Sequence, residues 1–157
     1  MKIYGDTKSG NCLKVKWVCD RLSVPYRWTD IDVMKGETRT PEFLKLNAAG
    51  QVPVLELDDG RTLAQSNAII RYLARDSDLV PRDAYDAARM DEWLFWEQYS
   101  HEPYVAVARF IQLYQGMPEA RREEYEVCHV RGHKAFRVME QQLQRTPYLV
   151  GEQYTLA

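Results

Sequence analysis

The sequence predicts a small mixed α/β domain followed by an all-helical one. Three observations carry this. The first 76 residues alternate short β-patterned runs with amphipathic stretches in the order β-α-β-α-β-β-α. A polar segment with a proline, Asp76-Ser77-Asp78-Leu79-Val80-Pro81-Arg82, then interrupts the pattern. Everything after it has helical periodicity, with Trp93, Trp96, Tyr99, Phe110 and Tyr114 among its large residues. The expected division is residues 1–76, a linker at 77–83, and a helical domain at 84–157.

Each element has a local reason. Lys2-Ile3-Tyr4-Gly5 is a short strand, and Asp6-Thr7-Lys8-Ser9-Gly10 a loop. Asn11 to Leu22 reads as a helix, with Leu13, Val15, Trp17, Val18 and Leu22 as its apolar residues. Pro25 ends what precedes it, and Tyr26 to Val33 reads as a second strand. Met34 to Thr40 is polar and loop-like. Pro41 suits the first position of a helix through Leu46, because its missing N–H has no helical partner there anyway. Strands follow near 53–57 and 61–64, joined by Asp58-Asp59-Gly60, whose Asp-Gly step tolerates the positive φ of a hairpin turn. Ser66 is the expected N-cap of a helix to about residue 75, with Ala68, Ile69, Tyr72 and Leu73 as its periodic apolar set. Ala84 to about Gln115 reads as one long helix kinked by Pro103. Met117-Pro118-Glu119 breaks it, and Pro118 to about Gln144 is another. The chain ends on Thr155-Leu156-Ala157, which reads as the N-cap of a further helix. Tyr154 would be half of a hydrophobic staple with no second half, so the helical domain is expected to be incomplete at its C-terminus.

Composition narrows the function. Hydrophobic residues make up 45% and charged residues 28% of the 157, ordinary for a globular protein, and the net charge of −2 offers no electrostatic footprint for nucleic acid or an anionic membrane. No apolar run approaches the ~20 residues that span a bilayer. Cys12, Cys19 and Cys128 are odd in number and lack metal-ligand spacing, which favours thiols in a reducing cytoplasm.

The run Gly50-Gln51-Val52-Pro53-Val54-Leu55, closed by Ala64-Gln65-Ser66-Asn67-Ala68-Ile69-Ile70, organises the α/β part. A cis bond at Val52–Pro53 would turn the N–H and C=O of Val52 outward, free to pair with an extended peptide. The N–H groups at the start of the following helix form an anion site. A peptide with a carboxylate at one end fits both. Ser9-Gly10-Asn11-Cys12 lies at another helix start, where free N–H groups and a hydroxyl stabilise a thiolate. That thiolate can belong to a bound peptide, while the bland role of Ser9 is to cap the helix.

Four stretches carry a family resemblance. Ser9-x-Asn11-x-x-Lys14-Val15, Pro41-Glu42-Phe43-Leu44-x-x-Asn47-x-x-Gly50-Gln51-Val52-Pro53, Gln65-Ser66-x-Ala68-Ile69 and Phe95-x-Glu97-Gln98-Tyr99-x-His101-Glu102-Pro103 resemble the bacterial cytosolic glutathione S-transferases of serine type, theta- and phi-like. The resemblance implies a thioredoxin-like N-terminal domain that binds glutathione as co-substrate. It also implies a hydrophobic electrophilic small molecule as second substrate, homodimerisation, and no metal. Ser9 would hold the glutathione sulfur as thiolate and Asn11 would assist. Val52, ahead of a cis Pro53, would pair with the cysteinyl backbone. Gln65 and Ser66 would take the γ-glutamyl end. Arg39, with Gln51, would hold the glycyl carboxylate. The family's neighbouring His is Thr38 here, and Gln65 replaces a commoner Glu.

Cys12 occupies the second position of a thioredoxin-type C-x-x-C layout, and a structural role outweighs a redox one. Tyr104, Val107, Ala108 and Ile111 share one helix face and would meet the second substrate between the domains, against the plainer reading of helix core. His129 and His133 are an i, i+4 pair with no third metal ligand nearby. A glutathione-dependent disulfide reductase or peroxidase and a non-catalytic glutathione-binding protein are the alternative functions.

Overall fold

A computed structural model describes residues 1–157, which divide into two compact units, Met1–Asp78 and Leu79–Ala157. Unit one is a four-stranded mixed sheet with helices, the thioredoxin-like arrangement. Its strands are β1 (Lys2–Gly5), β2 (Arg27–Asp30), β3 (Val54–Glu56) and β4 (Thr62–Ala64), in the order β2-β1-β3-β4. β1 runs parallel to β2 and antiparallel to β3, with Ile3 opposite both Trp28 and Leu55.

Alternation along these strands makes two faces. Ile3 and Leu55 are fully buried on the side that receives α1 (Gly10–Arg21) and α3 (Ser66–Leu73), which pack together. The buried stripe of α1 is Cys12, Val15 and Cys19, so two cysteines serve as small apolar fillers, while Trp17 is 63% exposed. α3 contributes Ile69 and Ile70, both buried; burial of side chains this size is worth ~1.5–3 kcal/mol each. On the opposite face Tyr4 meets Phe43 of the short α2 (Pro41–Leu46) edge-to-face at 6.5 Å. There Glu56 accepts hydrogen bonds from Tyr4 Oη at 2.6 Å and Lys2 Nζ at 3.0 Å.

Several boundaries differ from the sequence reading. The second strand stops at Asp30 because Asp32 caps a 3-10 turn at Val33–Lys35, accepting from the Lys35 N–H at 3.2 Å. The N-cap of α3 is Gln65 (φ 70°, ψ 115°), not Ser66, whose backbone is already helical. The hairpin closes as expected, with Gly60 at φ +83° and the Leu57 N–H on the Arg61 carbonyl at 2.9 Å.

Unit two is helical. The expected single helix to Gln115 is broken into α4 (Ala84–Trp96), a π-turn at Glu97–His101, α5 (Glu102–Arg109) and a second π-turn at Phe110–Tyr114. Pro103 has no N–H for the carbonyl four residues back, and the helix widens just ahead of it. The second π-turn closes the helix, with the Met117 N–H on the Ile111 carbonyl at 2.9 Å and Gly116 at φ +67°. After a 3-10 turn at Glu119–Arg121, α6 (Arg122–Leu143) turns Cys128, Gly132 and Ala135 inward. These small residues let α5 approach closely: Val105 lies 3.3 Å from where a Cβ on Gly132 would stand. Near the end of the chain Thr155 accepts from the Ala157 N–H at 3.2 Å, the bond of an N-cap, and Tyr154 packs on Tyr148 with ring centroids 6.2 Å apart. No helix is long and apolar enough to cross a membrane.

Candidate glutathione site

Two helix N-termini meet at one corner of unit one. Ser9 caps α1, its hydroxyl oxygen accepting the Cys12 N–H at 3.4 Å. A cap bond uses only a lone pair, and the hydroxyl hydrogen can turn to a sulfur, that of Cys12 or that of a bound thiol, so the capping and thiol-binding readings of Ser9 are compatible. Asn11, in the first turn of α1, accepts from the Ser66 hydroxyl at 3.0 Å across 55 residues of sequence. One turn further, Lys14 Nζ donates to Asn67 Oδ1 at 3.0 Å. These two bonds lock the starts of α1 and α3 side by side. No side chain caps α3, so the helix dipole and the first-turn N–H groups offer a place for a carboxylate. Gln65, exposed and at positive φ, stands at that entrance.

The stretch before β3 supplies a main-chain edge. The Val52–Pro53 peptide is cis, and no hydrogen bond within the chain uses the N–H or C=O of Val52. Asn47 shapes this segment: its Nδ2 donates to the Gln51 carbonyl at 2.8 Å, and its Oδ1 accepts the Ala49 N–H at 3.1 Å. Gly50 at φ +61° lies under the Arg39 guanidinium, and a Cβ there would stand 2.5 Å from Nη1. Arg39 also donates to the Ala49 carbonyl at 3.3 Å. Arg39 and Gln51 are exposed, whereas Thr38 is buried at 5%. Asn47 and Lys14 stand in the family-like runs and Asn67 in the run that closes the strand segment, but spacing does not give their partners, which folding sets.

Cys12 is fully buried. Its sulfur accepts the Asp6 N–H at 3.4 Å, and burial pushes its thiol up, against the pull of the Ser9 hydroxyl and that N–H. Burial also pushes Cys19 up, to about 11. Neither is a ready nucleophile.

In unit two the four residues expected to meet the second substrate do not share one environment. Tyr104 Oη accepts from Arg131 at 2.9 Å, and its ring lies 5.2 Å from that guanidinium. Val107 and Ala108 are half-buried. Ile111 is wholly buried, a core position and not a surface one.

Residues 9–76 match a family model described as the N-terminal domain of glutathione S-transferases. Glutathione S-transferase 3 of Zea mays is 32% identical over 166 residues, covering 100% of this chain and 73% of that protein. A crystal structure of a glutathione S-transferase from Pseudomonas fluorescens Pf-5 is 54% identical with a TM-score of 0.97, covering 99% of this chain and 77% of its own. Another from Xanthobacter autotrophicus Py2 is 41% identical with a TM-score of 0.94, covering 99% and 76%. With the sheet order, the cis proline and the paired helix starts, these similarities make the chain a member of the glutathione S-transferase family.

Proposed function

We propose that the chain is a glutathione transferase of serine type, theta- or phi-like, working on the residues 1–76 domain with glutathione as co-substrate. The observation that supports this reading is the Ser66–Asn11 bond, which holds the start of α1, where Ser9 would meet the sulfur, beside the start of α3, where the γ-glutamyl carboxylate would lie. In the proposed complex the γ-glutamyl carboxylate lies at the start of α3, with Gln65 and Ser66 around it. The cysteinyl backbone pairs with Val52 ahead of Pro53, and Arg39 and Gln51 hold the glycyl carboxylate. The sulfur then reaches the Ser9 hydroxyl, with Asn11 beside it.

The chemistry asks little of the protein beyond position and charge. The bound thiol loses its proton to solvent. A hydrogen bond from Ser9 and the N–H groups of α1 favour the thiolate. Its sulfur attacks an electrophilic carbon, the C–S bond forms, and the leaving group departs with the electron pair of the bond it breaks. The residues at 84–157 supply the surface for a hydrophobic electrophile, with Tyr104, Val107 and Ala108 on α5 and Ile111 as packing beneath them. The enzyme acts as a homodimer in the cytoplasm. Phe95 on α4 and Tyr99 on the π-turn after it, 75% and 84% exposed, are in keeping with a second copy, and the three free cysteines with a reducing compartment.

Calorimetry with glutathione and turnover of an aryl halide test the reading. Saturable binding with turnover supports it; absence of binding would overturn it. The reductase alternative predicts faster turnover of a small disulfide than of the aryl halide, and loss of that activity in Cys12→Ser if Cys12 takes part.

A further inference from the structure

We propose that His129 and His133 form an open two-imidazole site for a divalent transition metal, Cu²⁺ foremost, on the exposed face of α6. The two residues are one helical turn apart and both are exposed. Their ring centroids lie 4.6 Å apart with the rings crossed at 75°. A metal bonds imidazole nitrogen at ~2.0–2.1 Å, so it sits about 3.2 Å from each ring centre once the distance from ring centre to nitrogen is added. Two such vectors at right angles place the ring centres about 4.5 Å apart, and at the tetrahedral angle about 5.2 Å. The i, i+4 spacing puts both rings on one helix face at a separation within reach of a shared metal ion.

Ligand type and intrinsic affinity select the metal. Imidazole suits copper, nickel and zinc, but right-angled nitrogen coordination suits Cu²⁺ and Ni²⁺, and intrinsic affinity peaks at copper. The absence of a third ligand argues against a closed structural zinc site, because no cluster of three His, Cys, Asp or Glu residues exists. It does not argue against a two-ligand site, whose remaining positions are filled by water. The neighbours leave the pair in place. Tyr125 lies 5.8 Å from His129 and Phe136 lies 6.1 Å from His133, ring to ring, so aromatic rings flank the pair on both sides. Competing ligands are poor. All three cysteines are buried, the N-terminal amine is paired with Asp58 at 2.7 Å, and the only other histidine, His101, is half-buried.

The test is a Cu²⁺ titration of the intact chain in a non-coordinating buffer, followed by electron paramagnetic resonance. The expected result is one equivalent of copper with two equatorial nitrogens. His129→Gln and His133→Gln should each weaken binding at least tenfold, and the double variant should lose the signal. Ni²⁺ should compete better than Zn²⁺. The substituted positions are exposed, and helix content by circular dichroism confirms that a variant is folded. Equal copper binding by a folded double variant, or no bound-copper spectrum at equimolar metal, would overturn the assignment. So would zinc competing better than nickel.

Discussion

Replacing Ser9 separates two effects that one hydroxyl combines. Its oxygen accepts the Cys12 N–H at 3.4 Å, and in the proposed complex its hydrogen is donated to the glutathione sulfur. Ser9→Ala removes both. Loss of a serine N-cap costs about 1 kcal/mol, which lowers the melting temperature of a chain this size by roughly 2–4 °C. Loss of a hydrogen bond to a charged sulfur costs about 1.5–3 kcal/mol. At ~1.4 kcal/mol per pKa unit, the bound thiol should rise by about 1–2 units. The sign follows directly: the bond favours the anion, so removing it raises the pKa. Turnover should fall about 10- to 100-fold below the wild-type thiol pKa, and the two enzymes should converge above the raised one. Ser9→Gly sharpens the test. Glycine costs a cap only a few tenths of a kcal/mol, so it should melt near wild type yet show the same thiol shift. Ser9→Thr, which keeps the hydroxyl, should restore most of the rate. The assay is the pH dependence of kcat with an aryl halide at saturating glutathione. An unchanged kinetic pKa in both the Ala and Gly variants would refute the role given to Ser9.

Three further outcomes are expected. Gly50→Ala forces a side chain to φ +61° and puts its Cβ 2.5 Å from Arg39 Nη1 and 3.0 Å from the Thr38 carbonyl oxygen. The backbone conformation alone costs about 1–2 kcal/mol, so melting should fall; glutathione affinity by calorimetry should weaken as in Arg39→Ala, and unchanged affinity in both would remove Arg39 from the site. The Tyr4 hydroxyl and then Lys2 hold the Glu56 carboxyl below its usual range. Its contribution to stability is therefore present above the unfolded-state carboxylate pKa and lost as the pH falls through the lower folded value. Urea midpoints in acid should show this loss for wild type and less of it for Tyr4→Phe. All three cysteines are buried, so a thiol reagent should label none of them rapidly in the native chain and all three after unfolding. Rapid native labelling of Cys12 would reopen a redox role.

Much of this molecule follows from local chemistry. The Asp-Gly turn, Pro41 at a helix start, the two-residue alternation of Ile3 and Tyr4 and the break at Pro103 are properties of neighbouring residues, so spacing and residue type sufficed to place them. The glutathione motifs were legible for the same reason, as contiguous runs with their own spacing. What folding alone decided depends on partners distant in the chain. The Ser66 hydroxyl suits a helix cap by residue type alone. The fold gives that position to Gln65 and directs the Ser66 hydroxyl to Asn11, 55 residues away. By its spacing Ile111 fitted either a substrate face or helix core, and the fold puts it in the core, because periodicity says which residues share a face and not what covers it. Arg39 over Gly50 and Lys14 on Asn67 were likewise beyond the sequence. Helical and strand periods are set by backbone geometry within a few residues, whereas the direction of a hydroxyl, amide or guanidinium is set by whichever element tertiary packing brings opposite it.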